Sequence, residues 1–186
     1  MEIIKTSIEG LVIIQPRVFE DERGYFMETY KEAFIKENFP DIDFIQDNES
    51  KSTFGVLRGL HFQKPPFGET KLIRCISGSV IDFALDLRKD SKTFLKVFKV
   101  ELSAENKKQL LVPQGFAHGY SVLSQTAEVL YKCDNFYNKQ SEGGILYNDA
   151  TLNIDWQIPL EKVIVSEKDL ILPTFENCVT NFMYNP

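Results

Sequence analysis

Only two histidines occur in this chain of 186 residues. Each is close to a glycine, in a segment whose residues are typical of a β-strand. His61 belongs to residues 55–63 (GVLRGLHFQ), and His118 belongs to residues 113–120 (PQGFAHGY). Histidine is the side chain that changes charge near neutral pH, so it serves readily as a general acid or base. The two segments therefore suggest proton-transfer chemistry.

Length and composition predict one domain with one substantial core. Hydrophobic residues make up 43% of the chain and charged residues 26%, as in ordinary globular proteins. The net charge of -6 argues against a nucleic-acid partner, because binding to a phosphate backbone needs a clustered basic face. An anionic small molecule needs only a few converging cations, for which the candidates are Arg23, Arg58, Lys71 and Lys168.

The cysteines and the N-terminus predict the compartment. Cys75, Cys133 and Cys178 are an odd number at spacings that match no zinc motif, so we expect reduced, buried thiols. The N-terminus has no basic region followed by a long apolar run, and no segment is long enough to span a bilayer. We therefore expect a soluble, cytoplasmic protein with no membrane partner.

Most of the chain has the alternating pattern of β-strands. Residues 79–87 place four large apolar side chains on one face and Asp82 and Asp86 on the other, which predicts a strand between two different environments. Turn signals such as DERG at residues 21–24 separate similar segments, and their spacing favours a sandwich or barrel. The other predicted strands are residues 11–14, 25–30, 71–76, 94–102, 109–112, 119–123 and 127–137.

Helices are few in the predicted structure. Residues 31–39 have helical spacing of apolar side chains and end at Pro40, and a shorter helix starts at Ser166. A parallel α/β sheet is excluded because the chain lacks the crossover helices that such a sheet needs.

Both histidine segments resemble motifs of the cupin superfamily. Pro113-x-Gly115-x-x-His118 is similar to the second cupin motif, and Gly59-x-His61 stands where the first would fall. Metal-binding cupins have His-x-His in the first motif, but Gln63 occupies the second histidine position here. Two histidines cannot build a three-histidine metal site, so we expect no metal; a weak mixed site that uses carboxylates is the alternative.

At a closer level the chain resembles the dTDP-4-dehydrorhamnose 3,5-epimerase family, whose members are metal-independent cupins that act on nucleotide-linked 4-keto-6-deoxy sugars. The resemblance implies a mostly β fold, a cupin-type antiparallel barrel or jelly roll with a few short helices, in a single domain of residues 1–186. The matching blocks are FEDERGYF (19–26), QDNES (46–50), GVLRGLHFQ (55–63), KLIRC (71–75), DLR (86–88), LSAENK (102–107), PQGFAHGY (113–120), AE and YK (127–132) and SEKD (166–169).

The resemblance implies epimerisation at C3 and C5 of dTDP-4-dehydro-6-deoxy-D-glucose, without a cofactor. The C4 carbonyl acidifies the C–H bonds at C3 and C5, so a base can form an enolate and an acid on the opposite face can return a proton. A single-centre epimerase, or an epimerase of a GDP- or CDP-linked 4-keto sugar, is the alternative within this class. Alternatives from other classes are a non-catalytic sugar-nucleotide-binding cupin and, third, a metal-dependent cupin oxygenase.

Four residues receive catalytic roles by the same match. His61 would be the base, Asp169 would hydrogen-bond its far nitrogen, and Tyr131 would be the acid. Lys71 would place an ammonium near the C4 oxygen, where the enolate charge develops. Spacing alone would favour structural roles for all four. Strand periodicity also places Tyr131 and Tyr137 on one face, so that both could line one cavity wall.

The remaining matched positions are predicted to bind the substrate. His118 would form a second dyad with Asp82, and Arg23 and Arg58 would bind the diphosphate through their planar guanidinium groups. Tyr137 would stack on the nucleotide base. Turn or solvated surface roles are the alternatives for His118, Arg23, Glu142 and Lys168. The other predicted ligand contacts are Glu28, Gln46, Asp47, Asn48, Glu142 and Lys168.

Three structural expectations accompany these assignments. Arg58 and His61 have opposite strand parity, so both can face one ligand only if the strand is irregular, and Gly59 is the place for a bulge. The resemblance implies a homodimer in which the N-terminal segment, with Arg23 and Glu28, completes the neighbour's site. Two departures from the family pattern, at residues 69–70 (ET) and 147–149 (YND), are expected to alter the rim of the pocket, and hence the preferred sugar or nucleotide, without touching the proposed base or acid.

Overall fold

The computed structural model describes residues 1–184, which form two antiparallel sheets packed face to face. The six-stranded sheet has the order β1 (Glu2–Lys5), β2 (Val12–Gln15), β10 (Gln109–Val112), β7 (Lys71–Ser77), β12 (Thr126–Cys133) and β5 (Gln46–Thr53). The five-stranded sheet has the order β13 (Glu142–Gly144), β6 (Leu57–Gln63), β11 (Phe116–Val122), β8 (Ser79–Asp86) and β9 (Val97–Ser103). A separate hairpin consists of β3 (Val18–Asp21) and β4 (Gly24–Met27). The mostly β, antiparallel prediction is confirmed.

Two short helices occur where the sequence predicts them. The first, α1, spans Glu32–Asn38 and packs Ile35 against the outer face of the six-stranded sheet. The second, α2, spans Glu167–Leu170 and is capped by Ser166, whose hydroxyl accepts a hydrogen bond from the Asp169 amide. Single 3-10 turns span Leu160–Lys162 and Phe175–Asn177.

The alternation along β8 separates two hydrophobic clusters. Val80 and Ala84 point between the sheets, while Phe83 and Leu85 point to the outer face of the five-stranded sheet. The C-terminal segment, residues 145–182, covers that outer face. The centre of the Trp156 ring lies 4.6 Å from the centre of the Phe83 ring. The C-terminal segment is therefore part of the core and brings α2 against the sheet.

The strand boundaries differ from the predicted ones by three residues or more in four places. The predicted strand 119–123 begins already at Phe116. The predicted strand 25–30 ends at Met27, and the predicted strand 94–102 begins only at Val97, because Leu95 adopts a left-handed conformation (φ +63°). The predicted strand 127–137 ends at Cys133. Strand β5 has no apolar alternation, yet it pairs with β12 along its whole length.

A bulge in β6 lies at the predicted glycine. His118 faces His61 and Tyr120 faces Arg58 across the β11–β6 pair, so three steps of β6 oppose two steps of β11. Gly59 has φ +121°, and a Cβ atom there would stand 2.6 Å from the Gly119 Cα. Only glycine fits this close backbone approach.

The cysteines are free: Cys75 and Cys133 are buried and Cys178 is half-buried. Within residues 1–184, none of the helices has the length and apolar character needed to cross a membrane.

Candidate active site

A cavity of about 130 Å³ lies between the two sheets. Strands β5, β7 and β12 line it from the six-stranded sheet, and β6 and β11 line it from the five-stranded sheet. Its wall brings together two histidines, two cations and two tyrosines. The lining residues are Ser50, Arg58, His61, Lys71, His118, Gly119, Tyr120 and Tyr131.

His61 is oriented by a buried carboxylate from the C-terminal segment. The distance from His61 Nε2 to Asp169 Oδ1 is 2.6 Å. Burial alone would raise the pKa of Asp169, but hydrogen bonds from His61, the Gly59 amide and Ser166 hold that pKa below its usual value. An ionised carboxylate only accepts hydrogen bonds, so Nε2 carries the proton and Nδ1 carries the lone pair. This is the arrangement of a general base with a fixed tautomer.

A second histidine–carboxylate pair lies on the neighbouring strands. His118 Nε2 is 2.9 Å from both carboxylate oxygens of Asp82. Asp82 is fully buried, and this burial raises its pKa, although the nearby His118 opposes the shift. Because His118 and His61 are direct partners in the β11–β6 register, the two dyads line the same wall.

Lys71 and Tyr131 face the cavity from the opposite sheet. The Lys71 ammonium lies 5.8 Å from the centre of the Tyr131 ring. Burial tends to lower the pKa of Lys71, but the Glu69 carboxylate, 2.9 Å from Nζ, outweighs it and raises that pKa. Burial also raises the pKa of the Tyr131 phenol. The cavity therefore holds a cation and a neutral phenol that is able to donate a proton.

Comparison with known proteins identifies the family. A family model described as dTDP-4-dehydrorhamnose 3,5-epimerase matches residues 5–177. The chain belongs to this family. The dTDP-4-dehydrorhamnose 3,5-epimerase of Shigella flexneri is 51% identical over 171 residues, which are 91% of this chain and 93% of that protein.

Solved structures of the epimerase family superpose closely. The dTDP-4-dehydrorhamnose 3,5-epimerase from Elizabethkingia anophelis is 54% identical, with a TM-score of 0.91 and coverage of 95% of this chain and 97% of that one. The dTDP-6-deoxy-D-glucose-3,5-epimerase from Legionella pneumophila was solved in complex with dTDP-4-keto-L-rhamnose. It is 42% identical, with a TM-score of 0.90 and coverage of 95% and 93%. The resemblance and the cupin-type fold predicted from the sequence are confirmed.

Three cavity residues of this epimerase family member, Ser50, Gly119 and Tyr120, were not among the predicted site residues. Tyr120 and Ser50 line the cavity, and their hydroxyl oxygens are 2.9 Å apart. The alternation of side chains along a strand could have predicted Tyr120. It is two residues from His118 on β11, so the two side chains lie on the same face of the sheet.

The predicted ligand residues of β5 divide between its two faces. Gln46 and Asn48 have the same parity as Ser50 and are hydrogen-bonded to each other at 2.9 Å. Asp47 has the opposite parity, is exposed, and forms an ion pair with Lys132 at 2.8 Å. The prediction that Asp47 lines the cavity is therefore corrected, because alternate side chains of a strand point to opposite faces.

Three predicted residues form a cluster outside the cavity. Tyr137 donates a hydrogen bond to Glu142 at 3.0 Å, and Lys168 forms an ion pair with the same carboxylate. Tyr137 is 58% exposed and lies beyond the end of β12, so it does not share a cavity wall with Tyr131. Glu142 pairs with Gln63 across the β13–β6 ladder, which places the cluster beside the His61 end of β6.

Arg23 and Glu28 lie away from the cavity of their own chain. Arg23 is in the turn of the β3–β4 hairpin and forms an ion pair with Asp21 at 2.5 Å. Glu28 forms one with Lys31 at 3.8 Å. Arg58, in contrast, lines the cavity and donates a hydrogen bond from Nε to Ser52 at 3.1 Å.

The two departures from the family pattern, residues 69–70 and 147–149, lie in different parts of the structure. Glu69 is in the interior beside Lys71 rather than at the rim of the pocket. The Tyr147 carbonyl accepts a hydrogen bond from the Trp156 indole. The Asp149 carboxylate accepts hydrogen bonds from the backbone amides of Thr151, Leu152 and Phe175. Residues 147–149 therefore brace the C-terminal segment.

Proposed function

We propose that this protein inverts C3 and C5 of dTDP-4-dehydro-6-deoxy-D-glucose and so forms dTDP-4-dehydro-L-rhamnose. The observation that carries the proposal is one cavity that holds an oriented base, His61, and a neutral phenol, Tyr131, on facing sheets. Membership of the epimerase family supports the same reaction. The proposal involves no cofactor, because a base and an acid suffice for proton transfer next to a carbonyl.

The proposed chemistry proceeds through an enolate. His61 removes the proton from C3 or C5, and Asp169 stabilises the imidazolium that results. Lys71 places its positive charge near the C4 oxygen, where negative charge develops in the transition state. Tyr131 then delivers a proton to the opposite face of the carbon, which inverts its configuration.

The remaining predicted residues are proposed to bind the nucleotide part of the substrate. Arg58 lies in the cavity wall, where a planar guanidinium suits a diphosphate. Tyr137 is exposed beside the His61 end of β6, and its ring is free to stack on the base. The other residues proposed to contact the ligand are Gln46, Asn48, Asp82, His118, Glu142 and Lys168.

We also propose a cytoplasmic homodimer in which the β3–β4 hairpin completes the neighbour's site. An isolated two-stranded hairpin is marginal by itself, yet this one exposes Phe19, Tyr25 and Phe26 at 51%, 55% and 66%. A second copy would cover these rings and would bring Arg23 and Glu28 to its own cavity. The free cysteines are consistent with a reducing compartment.

Proton NMR in deuterium oxide tests the reaction. The wild-type protein with dTDP-4-dehydro-6-deoxy-D-glucose should take up deuterium at C3 and C5, and His61→Ala should lower the rate by about 10²–10⁴-fold. The control is calorimetric binding of dTDP to His61→Ala, which should persist because His61 does not contact the nucleotide in this proposal. Deuterium at one position alone would indicate a single-centre epimerase. No exchange by the folded wild-type protein would exclude this substrate.

A further inference from the structure

The Lys71 ammonium shares the interior with a second charge, the Glu69 carboxylate. The side chains of Lys71 and Glu69 are only 12% and 13% exposed, and the distance from Nζ to Oε1 is 2.9 Å. The other oxygen of Glu69 accepts a hydrogen bond from Gln63 Nε2 at 3.3 Å. The Glu69 carboxylate is therefore held by two neighbours, Lys71 and Gln63, rather than solvated.

Glu69 lies directly behind the reaction cavity. A small cavity of about 10 Å³ is lined by Glu69, Gln63, Lys71 and His118 together with apolar residues. Lys71 and His118 also line the reaction cavity. The two residues thus form the partition between the reaction cavity and the Glu69 carboxylate.

The proposed catalytic role of Lys71 requires the charged form of a buried amine. Burial in a low-dielectric interior favours the neutral amine and can lower a lysine pKa by about 3–5 units in a fully buried site. A neutral amine would present no positive charge to an enolate oxygen. An anion within ion-pair distance reverses this tendency. In the part of the chain that the structure describes, Lys71 forms its ion pair with Glu69.

We propose that Glu69 is a positioning residue that keeps Lys71 protonated and fixes its ammonium at the cavity wall. The inference rests on the proposed function only for the statement that Lys71 faces the enolate. The dependence of Lys71's charge on Glu69 follows from the ion pair and the burial. The other titratable groups that interact electrostatically with Lys71 are Asp82, Tyr131 and Cys133, and all three are retained in the variants below.

The pH dependence of kcat/KM tests the catalytic consequence. In Glu69→Gln the burial of Lys71 remains while the anion is lost, so Lys71 should lose its proton at lower pH. The alkaline limb of the profile should move down by about one pH unit or more. Glu69→Asp keeps the charge and should leave the limb near its wild-type position, with a lower rate because the ammonium is displaced.

A matched control comes from a second lysine–glutamate pair of the same sheet. Lys51 and Glu128 lie 2.7 Å apart, but the Lys51 side chain is 68% exposed, and exposed pairs contribute little. Glu128→Gln should leave the alkaline limb in place. An equal shift in Glu69→Gln and Glu128→Gln would overturn the proposal, because it would reflect net charge rather than the buried pair.

A titration of the lysine carbons by NMR separates this proposal from the proposed function. Protein labelled with carbon-13 at lysine Cε gives one signal for each lysine, and Lys71→Arg identifies that of Lys71. The Lys71 signal should titrate at lower pH in Glu69→Gln than in the wild type, whether or not any sugar is turned over. An unchanged Lys71 titration in folded Glu69→Gln would overturn the inference.

Discussion

Two histidine–carboxylate pairs face one cavity, and the pKa values of their carboxylates are shifted in opposite directions. Asp169 has a pKa below its usual value because His61, the Gly59 amide and Ser166 all stabilise the anion against the cost of burial. Asp82 has a raised pKa because full burial outweighs the effect of His118. The carboxylate behind His61 is thus anionic at neutral pH, and it would favour the positive charge that His61 acquires in the proposed reaction.

Replacement of the acid should separate proton removal from inversion. In Tyr131→Phe, His61 can still form the enolate, and it can return deuterium from solvent to the face from which it took the proton. We expect substrate that gains deuterium in D₂O with unchanged configuration, and inversion slower by about 10²-fold or more. Proton NMR of the sugar measures both quantities.

Tyr120→Phe is the matched control, since Tyr120 lines the same cavity and its hydroxyl is bonded to Ser50. Deuterium uptake without inversion in Tyr120→Phe, rather than in Tyr131→Phe, would assign the acid to Tyr120 instead.

At the residue scale, sequence reasoning found the cavity through matched blocks rather than through spacing. Asp169 is 108 residues from His61, so no local pattern connects them, and the match to the family was needed. The interior place of Glu69 could not be predicted, because a glutamate in a loop is ordinarily solvated. Asp47 was predicted to line the cavity, but it lies on the opposite face of β5 from Gln46 and Asn48. Strand alternation predicts this once the position of β5 is known.

At the scale of elements, the bulge in β6 sets the relative placement of Arg58 and His61. Gly59→Ala should cost about 3 kcal/mol in the free energy of unfolding, from the positive φ together with the close approach of Gly119. Gly24→Ala is the control, because Gly24 has φ +123° with nothing within 4 Å of an added Cβ. It should cost only about 1 kcal/mol.

Urea denaturation measures both variants. Equal losses for Gly59→Ala and Gly24→Ala would show that backbone conformation alone, and not the contact with β11, makes glycine necessary in β6.

The end of β8 depends on an ionised carboxylate. Asp86 accepts hydrogen bonds from Arg88 Nε at 2.9 Å, Ser91 at 2.8 Å and Thr93 at 2.7 Å. Burial tends to raise the pKa of Asp86, but these bonds outweigh it and hold that pKa below its ordinary value. The stabilisation is therefore complete above the unfolded-state pKa of about 3.9, and it is lost as pH falls through the lower folded-state pKa.

Asp86→Asn should reveal this dependence on pH. We expect a loss of about 3 kcal/mol at pH 7, which shrinks below about pH 4 as the wild-type carboxylate takes up its proton. Asp47→Asn, which removes an exposed ion pair, should change stability by less than about 0.5 kcal/mol. Denaturation curves at a series of pH values provide the measurement. A loss for Asp86→Asn that stays constant down to pH 3 would contradict this explanation.

The elements themselves were predictable where apolar residues alternate. Strand β8 and the two helices follow from periodicity and capping. The bulge at Gly59 follows only once the family resemblance assigns Arg58 and His61, which have opposite parity, to the same ligand. Strand β5 was not predictable in this way, because an edge strand with polar side chains on both faces has no hydrophobic pattern. Its identity depends on pairing with β12, which is a tertiary property.

At the scale of the whole molecule, the hairpin predicts complementation between two inactive variants. In a mixed dimer of His61→Ala and Arg23→Ala chains, one site combines the intact His61 of one chain with the intact Arg23 of the other. We expect the mixed dimer to have about half the activity of the wild-type dimer, because one of its two sites is intact. Each variant alone should remain impaired.

Activity measured on the purified mixed dimer, together with light scattering of each variant, checks this expectation. Absence of recovery in a verified mixed dimer would mean that Arg23 does not cross to the neighbour. A monomeric wild-type protein in light scattering would contradict the arrangement as a whole.

The position of Asp169 has a consequence in time. His61 and the other residues of the cavity wall all lie before residue 132, whereas the carboxylate that orients His61 arrives with α2, near the end of the chain. A ribosome that has released every strand of both sheets has thus produced a cavity whose base still lacks its partner. The order of the sequence therefore delays the orientation of His61 until the segment that carries α2 has docked.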